Sequence, residues 1–375
     1  MKKIKFLDLA AQQKKIKTFL DYNLNNVLKN SNYIMGKEVI DLENKLQYFT
    51  KAKYCITCAN GTDALILALL ALNIGKDDYV VCPSFTFPAT AESVLITGAK
   101  PVFVDVSKST FNLCYKSLEK VLKKFNAKTN RIKAIIAVDL FGLPANYKKL
   151  KKLAKEYKVK IISDAAQSFG ASFYEKKVGA INDITCTSFF PAKPLGCYGD
   201  GGAVFTQSKT IKDKIISLRA HGKSKDKYKI IDIGLNSRLD TLQAAVLLAK
   251  LKIFSWELKE KNKIAKLYSK ELEEYCKVPL VPHKTFSAWA QFTIQTNKRT
   301  KVLNYLKEKN IPTAIYYPIP MHLQPAYKKY YNKFIDMTNS IELSKNVFSI
   351  PIHPYLEENQ KEFIINSIKN ALKHV

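Results

Sequence analysis

Between residues 54 and 206, short apolar segments of β-strand character alternate with helix-like segments, and this alternation limits the chain to few folds. The apolar segments are nearly continuous, which is typical of strands buried on both faces of a parallel sheet. We therefore predict an α/β fold with a mostly parallel sheet flanked by helices. The predicted strands span residues 54–58, 79–82, 101–105, 132–139, 159–163, 184–189 and 203–206, with helices from about Ala64 and over 146–157.

Four residues fall at or just after the ends of these predicted strands, namely Thr62, Phe87, Asp164 and Ser188. In open α/β sheets, ligands bind beyond the carboxyl ends of the strands. The predicted fold can therefore collect these four residues in one cleft.

A chain of 375 residues is long enough for about two domains. We place N-terminal helices and a large sheet domain in residues 1–250, and a smaller C-terminal α/β domain in residues 251–375. Helical periodicity predicts two successive helices as the connection between them, the second from about Trp256 to Tyr275. The smaller domain is predicted to contain strands at 290–295 and 313–317 and helices at 299–309 and 362–372.

The net charge of +29 raises the question of a nucleic-acid partner. Only four of the 61 basic residues are arginines, the lysines are spread over almost every polar face, and no nucleic-acid-binding motif is present. We therefore interpret the lysines as solvated and predict no nucleic-acid partner. A basic field can still help to capture a diphosphate-bearing substrate.

The seven cysteines do not resemble a disulfide framework. Cys55 and Cys58 form a CxxC pair, but no second pair or nearby histidine completes a zinc site, so we predict buried thiols and no metal. The longest apolar run, residues 64–72, is too short to span a bilayer, and Asp8 interrupts any signal-peptide core. We predict a cytoplasmic protein without a membrane partner.

Residues 188–202, SFFPAKPLGCYGDGG, contain a single lysine, Lys193, although lysines are frequent nearly everywhere else. Pro191 and Pro194 are incompatible with a regular helix or a central strand in this segment. The glycines that follow allow tight turns and close approach of the backbone to a ligand. A lysine in apolar surroundings loses proton affinity and can act as the amine of a Schiff base. A solvated lysine on a surface loop fits these residues equally well.

An anion site is predicted where the strand at 54–58 turns into the next helix. Gly61 and Thr62 lie at this turn, so that free backbone N–H groups and the positive end of the helix dipole point towards a ligand. The simpler alternative is an ordinary N-cap formed by Asn60 or Thr62.

Asp164 directly follows the predicted strand at 159–163. A carboxylate at the tip of a buried strand is costly unless it has a cationic partner. The alternative is that Asp164 caps the start of a following helix.

The chain contains six ordered motifs: NGTDAL at 60–65, PSFTFPATA at 83–91, SDAAQSFGA at 163–171, SFFPAKPLGCYGDGGA at 188–203, GLNSRLDTLQAA at 234–245 and YYPIPMHLQ at 316–324. Together they resemble the sugar-nucleotide aminotransferases of the DegT/StrS family, which are fold-type I enzymes that use pyridoxal phosphate (PLP). The resemblance covers nearly the whole chain, and it implies a large PLP-binding domain and a smaller C-terminal domain.

The resemblance implies a role for each matching residue. Lys193 would hold PLP through a Schiff base and then move a proton between the cofactor and the substrate carbon. Asp164 would pair with the pyridinium nitrogen, Gln167 would hydrogen-bond the ring hydroxyl, and Phe87 would stack on the ring face.

The family pattern also implies that Gly61, Thr62 and Ser188 hold the phosphate of PLP. Asn236 would reach the phosphate from a second subunit. The active unit would therefore be a homodimer with shared active sites.

The implied reaction moves an amino group from L-glutamate, through PLP, to a nucleotide-linked keto-sugar. PLP-dependent sugar dehydratases of the same family carry a histidine in place of the lysine, so Lys193 favours the aminotransferase. The motif wording most resembles the branch that aminates UDP-2-acetamido-2-deoxy-3-keto-glucuronate for surface-polysaccharide synthesis. An aminotransferase for a dTDP-linked 3- or 4-keto-6-deoxyhexose is the enzyme alternative, and a basic nucleic-acid-associated protein is a third hypothesis without a supporting motif.

Two residues are candidate substrate contacts in this family pattern. Arg238 is a candidate clamp for the uronate carboxylate, because a guanidinium can bind a carboxylate in bidentate fashion. A structural arginine is the alternative, since many relatives with other substrates also have one there. His322 is a candidate for the substrate side of the cleft.

Overall fold

The computed structural model of the chain describes residues 2–129, 131–226 and 228–374. Its helices and strands follow one another in the order α1 (Leu9–Asn30), α2 (Lys37–Thr50), β1 (Tyr54–Cys58), α3 (Gly61–Ala71), β2 (Tyr79–Pro83), α4 (Ala89–Ile96), β3 (Lys100–Val104), α5 (Tyr115–Thr129), β4 (Ile132–Val138), α6 (Tyr147–Glu156), β5 (Lys160–Asp164), β6 (Ser172–Phe173), β7 (Lys176–Lys177), β8 (Ile184–Ser188), β9 (Gly202–Thr206), α7 (Lys209–Leu218), α8 (Thr241–Leu272), β10 (Thr285–Phe286), β11 (Phe292–Gln295), α9 (Arg299–Glu308), α10 (Thr338–Asn346), β12 (Val347–Ile350) and α11 (Glu358–His374).

Seven strands form the main sheet, in the order β1-β9-β8-β5-β4-β2-β3. Strands β8, β5, β4, β2 and β3 pair in parallel, whereas β9 runs antiparallel between β1 and β8. Nearly every residue of these strands is buried, because helices cover the sheet. The predicted α/β fold with a mostly parallel sheet is confirmed.

The sheet brings the ends of neighbouring strands to one edge. Val138 at the end of β4 lies opposite Asp164 at the end of β5, and Asp164 in turn lies opposite Cys186 of β8. Because parallel strands end at the same edge, Asp164 and Ser188 lie close to the turns that follow β1 and β2.

Helix α8 is a single helix of 32 residues, and the prediction of two successive helices here was wrong. Its first part contributes Phe254 and Leu258 to the core under the main sheet. Its last part contributes Tyr268 and Leu272 to a second core, built on the two-stranded sheet of β11 and β12. The helix therefore runs unbroken through residue 250, where we placed the boundary between the domains, and that boundary stays a prediction.

Further elements of the C-terminal part differ from the sequence prediction, which contained neither α10 nor β12. Residues 313–317 form no strand, and only a single bridge joins Ala314 to Ser349. The chain leaves the small sheet after this bridge and carries Tyr316 and Tyr317 to the cleft of the main sheet. The partner of β11 is instead β12, from Val347 to Ile350.

No helix in the described ranges is both long and apolar enough to cross a membrane. All seven cysteines are free thiols, and five of them are buried. Burial raises the pKa of the Cys55 and Cys58 thiols, so neither has the thiolate character of a reactive pair.

Candidate active site

A cavity of about 500 Å³ opens at the carboxyl edge of the main sheet. This volume lies within the range of small-molecule and cofactor sites. The structure brings seven of the predicted site residues to its wall: Gly61, Thr62, Phe87, Asp164, Gln167, Ser188 and Lys193.

Lys193 lies in a tight turn between β8 and β9. Its backbone N–H donates to the carbonyl of Phe190 at 2.9 Å, and the N–H of Cys197 donates to the carbonyl of Phe189 at 2.7 Å. Gly196 is required in this turn, because a Cβ there would lie 2.5 Å from the carbonyl oxygen of Pro191. Burial lowers the pKa of the Lys193 amine, and Asp164 partly opposes this shift. Lys193 is therefore not a solvated surface lysine but an amine with reduced proton affinity.

Asp164 is only 7% exposed and forms no salt bridge with any described residue. Its carboxylate accepts hydrogen bonds from the backbone N–H of Ala166 at 3.1 Å and from the hydroxyl of Thr90 at 3.3 Å. Burial raises the pKa of this carboxyl, and Lys193 lowers it in part. The residues after Asp164 form turns rather than a helix, so the carboxylate caps none and is free to meet a cationic group of a ligand.

The side-chain amide of Gln167 has a fixed orientation. Its Oε1 accepts from the backbone N–H of Phe141 at 2.6 Å, so its Nε2 is the donor, and this donates to the hydroxyl of Tyr317 at 3.0 Å. Phe141 has a φ of 58°, an unusual value for a bulky residue. This strained backbone aims its N–H at Gln167 and leaves the donor side of the amide facing the cavity.

The start of α3 forms the anion-binding end of the cavity. Asn60 is the N-cap of this helix and accepts from the backbone N–H of Asp63 at 2.8 Å. The predicted N-cap is therefore present, and it leaves the earlier N–H groups of the helix, at Gly61 and Thr62, without a capping side chain. A Cβ on Gly61 would lie 2.6 Å from the Cβ and 3.1 Å from the hydroxyl oxygen of Ser188, so the side chain of Ser188 lies beside the start of α3. This arrangement suits a phosphate group.

Phe87 forms an aromatic wall at the mouth of the cavity. Its side chain is 53% exposed, although it follows a buried strand. Its ring centroid lies 6.3 Å from that of Tyr317. An exposed phenylalanine at this position can cover the face of a flat ligand ring.

Sequence reasoning missed several residues of the wall. Tyr316, Tyr317 and Gln291 come from the C-terminal part of the chain, and Asp200 comes from the glycine-rich turn. The side-chain oxygen of Gln291 is buried without a hydrogen-bond partner among the described residues. Burial raises the pKa of the Tyr317 phenol, so its hydroxyl stays protonated at neutral pH and can donate a hydrogen bond. The motif YYPIPMHLQ includes Tyr316 and Tyr317, but nothing in it indicates that the two tyrosines line the cavity.

Three predicted residues do not line the cavity of this chain. Asn236 is exposed, and its Oδ1 accepts from the guanidinium of Arg238 at 2.6 Å. The contribution of Asn236 to the site of a second subunit and the role of Arg238 as a carboxylate clamp stay predictions. His322 is 0% exposed, and its Nδ1 shares a hydrogen bond with the hydroxyl of Ser84 outside the cavity. A substrate-binding residue would be expected to line the cavity.

The arrangement fits PLP at three points. The helix start at Gly61 and Thr62 with Ser188 fits its phosphate, the buried carboxylate of Asp164 fits its pyridinium nitrogen, and Lys193 fits its aldehyde. Within the described ranges, no cluster of His, Cys, Asp and Glu residues could hold a metal ion.

Comparison with known proteins gives the same cofactor and reaction class. The model of the DegT/DnrJ/EryC1/StrS aminotransferase family matches residues 14–369. The UDP-2-acetamido-2-deoxy-3-oxo-D-glucuronate aminotransferase of Pseudomonas aeruginosa is 42% identical over 368 residues, which cover 98% of this chain and 100% of that protein. The dTDP-3-amino-3,6-dideoxy-alpha-D-galactopyranose transaminase of Aneurinibacillus thermoaerophilus is 35% identical, and the matched residues cover 97% of this chain and 98% of that protein.

A crystal structure of a DegT DnrJ EryC1 StrS aminotransferase from Brucella abortus is similar to this chain with a TM-score of 0.96 at 42% identity, covering 99% of this chain and 100% of the other. Both the family match and these relatives extend over nearly the whole sequence. The chain therefore belongs to the DegT/DnrJ/EryC1/StrS family of PLP-dependent sugar aminotransferases.

Proposed function

We propose that this aminotransferase moves the amino group of L-glutamate to a nucleotide-linked keto-sugar, UDP-2-acetamido-2-deoxy-3-keto-glucuronate, in cytoplasmic synthesis of a surface polysaccharide such as lipopolysaccharide. The single observation that carries the reaction is the meeting of Lys193, Asp164 and the start of α3 in one cavity. The sugar is proposed because the Pseudomonas aeruginosa relative that acts on it is 42% identical over nearly the whole chain.

Each residue of the cavity has a task in this reaction. PLP supplies an electron sink that stabilises negative charge on the carbon next to the amino group. The Nζ of Lys193 has lowered proton affinity, so it can take a proton from the carbon of L-glutamate and later return one to the carbon of the sugar. Asp164 would keep the ring nitrogen of the bound cofactor protonated, and Gln167 would offer an N–H of Nε2 to its ring hydroxyl.

The proposed active unit is a homodimer. Among the described residues that line the cavity, Lys193 is the only cationic side chain, although the substrate carries a diphosphate and a carboxylate. Asn236 and Arg238 lie outside the cavity of their own chain, beside an exposed apolar segment with Ile230 and Ile233, the latter 94% exposed. Pairing of two chains through this segment would cover it and could bring Arg238 to the uronate carboxylate of the neighbouring site.

A second candidate substrate is a dTDP-linked 3- or 4-keto-6-deoxyhexose, because the Aneurinibacillus thermoaerophilus relative is a transaminase of dTDP-linked sugars. Such a sugar has no carboxylate and would not need a guanidinium clamp. Comparison of kcat/KM for the UDP-linked uronate and the dTDP-linked deoxyhexose decides which of the two is the substrate. With the uronate, Arg238→Ala should lower kcat/KM about 100-fold, whereas Arg238→Lys should recover part of the loss.

An absorption spectrum tests the reaction class. Purified protein with added PLP should show a visible band of bound cofactor, and excess L-glutamate should replace this band with a near-ultraviolet band of pyridoxamine phosphate. The Lys193→Ala variant should lack the visible band of the wild-type protein. A wild-type band that L-glutamate leaves unchanged would exclude glutamate as the amino donor, and a protein without any such band would contradict the proposal as a whole.

A further inference from the structure

We propose that His322 is a positioning residue, which locks the segment of residues 316–324 onto the end of β2 and thereby holds Tyr317 against Gln167 in the active site. The inference rests on the proposed function only in that the cavity is taken to bind PLP. Its basis is a buried contact between two residues that are far apart in the sequence and lie outside the cavity.

His322 and Ser84 form the centre of this contact. The Nδ1 of His322 lies 2.5 Å from the hydroxyl oxygen of Ser84, and both residues are 0% exposed. Next to this bond, the backbone N–H of Met321 donates to the carbonyl of Ser84 at 2.7 Å. Ser84 itself is held by β3, because its N–H donates to the carbonyl of Val104 at 2.8 Å. We call the pair of bonds from Ser84 to Met321 and His322 the clasp.

The clasp joins the two segments that carry the aromatic wall of the cavity. Phe87 lies three residues after Ser84, and Tyr317 lies five residues before His322. The ring centroid of Tyr317 lies 6.0 Å from that of Phe85 and 6.3 Å from that of Phe87. Tyr317 also accepts the hydrogen bond from Nε2 of Gln167 at 3.0 Å. A shift of the segment would therefore change the aromatic wall and remove the hydrogen-bond partner of Gln167 Nε2 together.

The chemistry of the clasp explains why a histidine is suited to this place. Burial lowers the pKa of His322 to about 4, so the ring is neutral at physiological pH and exchanges a hydrogen bond with a hydroxyl rather than forming an ion pair. Its ring lies against that of Tyr331, with centroids 4.7 Å apart, which fixes the ring plane. Removal of either partner would leave a buried polar atom unpaired, which is the costly case for a hydrogen bond.

Three single variants test the clasp, together with the double variant of Ser84→Ala and His322→Leu and one control. Ser84→Ala and His322→Leu break the side-chain bond, while His322→Asn keeps a polar nitrogen near the position of Nδ1. The matched control is His353→Leu, since His353 is also buried, has one hydrogen bond, to the carbonyl of Lys5, and has a pKa lowered to about 4 by burial. His353 does not line the cavity.

The first measurement is the equilibrium dissociation constant of PLP in the absence of substrates, together with the circular dichroism of the bound cofactor. Ser84→Ala and His322→Leu should each raise the dissociation constant about tenfold and weaken the induced circular dichroism. The double variant should be no worse than either single one, because both remove the same bond. His322→Asn should remain within about threefold of wild type, as should the control.

The second measurement needs no cofactor. A crystal structure of the cofactor-free Ser84→Ala protein should show that Tyr317 has moved out of hydrogen-bonding distance of Gln167. A purely structural role for His322 predicts loss of thermal stability in Ser84→Ala, with unchanged PLP affinity and an unmoved Tyr317, and this result would overturn the proposal. If wild-type protein failed to bind PLP, the proposed function would be wrong, and the crystal structure alone would decide on the clasp.

Discussion

At the scale of single residues, Asp164 shows a conflict between stability and function. Its carboxylate is buried without an ion pair among the described residues, and burial raises its pKa. An acid whose pKa is higher in the folded than in the unfolded state binds more protons when folded, so it lowers stability as the pH rises through that window. At pH 7, Asp164 therefore destabilises the cofactor-free protein, and the same charge is what the ring nitrogen of PLP needs.

The substitution Asp164→Asn should separate these two effects. We expect the free energy of unfolding of cofactor-free protein to rise by about 1 kcal/mol at pH 7. This gain should shrink as the pH falls and disappear below about 4, the ordinary pKa of an aspartate, where the carboxyl is protonated in both the folded and the unfolded chain. The kcat should fall about 100- to 1,000-fold, because a neutral amide cannot keep the ring nitrogen protonated. Urea unfolding at several pH values and steady-state kinetics measure the two effects.

Asp200→Asn is the control for stability, since Asp200 is an exposed carboxylate at the same cavity. It should leave the free energy of unfolding within about 0.5 kcal/mol of wild type. A loss of stability in Asp164→Asn would show that the carboxylate is a structural anchor rather than a group held ready for the cofactor.

Gly61 is the second residue that can be tested alone. Its backbone lies so close to β8 that an added Cβ would be 2.6 Å from the Cβ of Ser188. The substitution Gly61→Ala must push the start of α3 away from Ser188, and the two parts of the anion site would separate. We expect the dissociation constant of PLP to rise at least about tenfold, while that of pyridoxal, which lacks the phosphate, changes little.

Gly75→Ala is a suitable comparison, because the nearest atom to an added Cβ there is a carbonyl oxygen at 3.3 Å, outside the site. It should leave PLP affinity unchanged. An equal loss of affinity for PLP and pyridoxal in Gly61→Ala would show that the phosphate is held elsewhere.

At the scale of elements, α8 shows why part of the fold escaped prediction. Its middle carries Lys250, Glu257 and Lys261, and all three are buried. Glu257 accepts hydrogen bonds from Gln12 at 2.8 Å and Tyr355 at 2.7 Å, which are far away in the sequence. Charged residues on the buried face interrupt the apolar periodicity, so the pattern predicted two helices. The strands of the main sheet are short and nearly continuous apolar runs, and their predicted ends lie within one residue of the observed ends.

The candidate site was predictable only where local signals exist. Lys193, Asp164 and the turn at Gly61 follow strands of the main sheet, where order along the chain implies position in space. Tyr317 lies 150 residues from its partner Gln167, in a segment without regular structure. No local pattern places such a residue, because its position depends on the packing of the C-terminal part against the main sheet.

Lys250 gives a prediction for the whole of α8. It is 0% exposed, its Nζ has no hydrogen-bond partner among the described residues, and burial lowers its pKa to about 8. Between pH 8 and the ordinary lysine pKa of 10.5, the Lys250 amine therefore binds more protons in the unfolded chain than in the folded protein. The cost of burying its charge lowers the free energy of unfolding fully below pH 8, and this cost decreases as the pH rises above 8. Lys250→Met should raise the free energy of unfolding at pH 7 by about 1–3 kcal/mol, and much less at pH 10.

Thermal and urea unfolding of both proteins at pH 7 and pH 10 measure this difference. Lys252→Met is the control, because Lys252 is an exposed neighbour on the same helix. If Lys250→Met were less stable than wild type at pH 7, the contact of the Lys250 ammonium with the ring of Tyr198, at 4.4 Å, would outweigh the cost of its burial.

At the scale of the whole molecule, the distribution of charge and apolar surface supports assembly into dimers. The chain has 61 basic and 32 acidic residues, yet its cavity contains only one cationic side chain among the described residues. Residues 228–233 expose a tyrosine and three isoleucines just before Asn236. A shared site would explain both features, because the partner would cover the apolar segment and supply polar groups to the cavity.

Subunit complementation tests this arrangement. If Asn236 acts in the site of the other subunit, a heterodimer of Lys193→Ala and Asn236→Ala chains has one site with both defects and one intact site. Random exchange of equal amounts makes half of the dimers heterodimers, so about one quarter of wild-type activity should return on mixing two nearly inactive proteins. If Asn236 acts in the site of its own chain, every site in the mixture keeps one defect, and no activity returns. Co-refolding from urea ensures exchange, and mixing of Lys193→Ala with Asp164→Asn, both from the same cavity, should stay inactive and serves as the control.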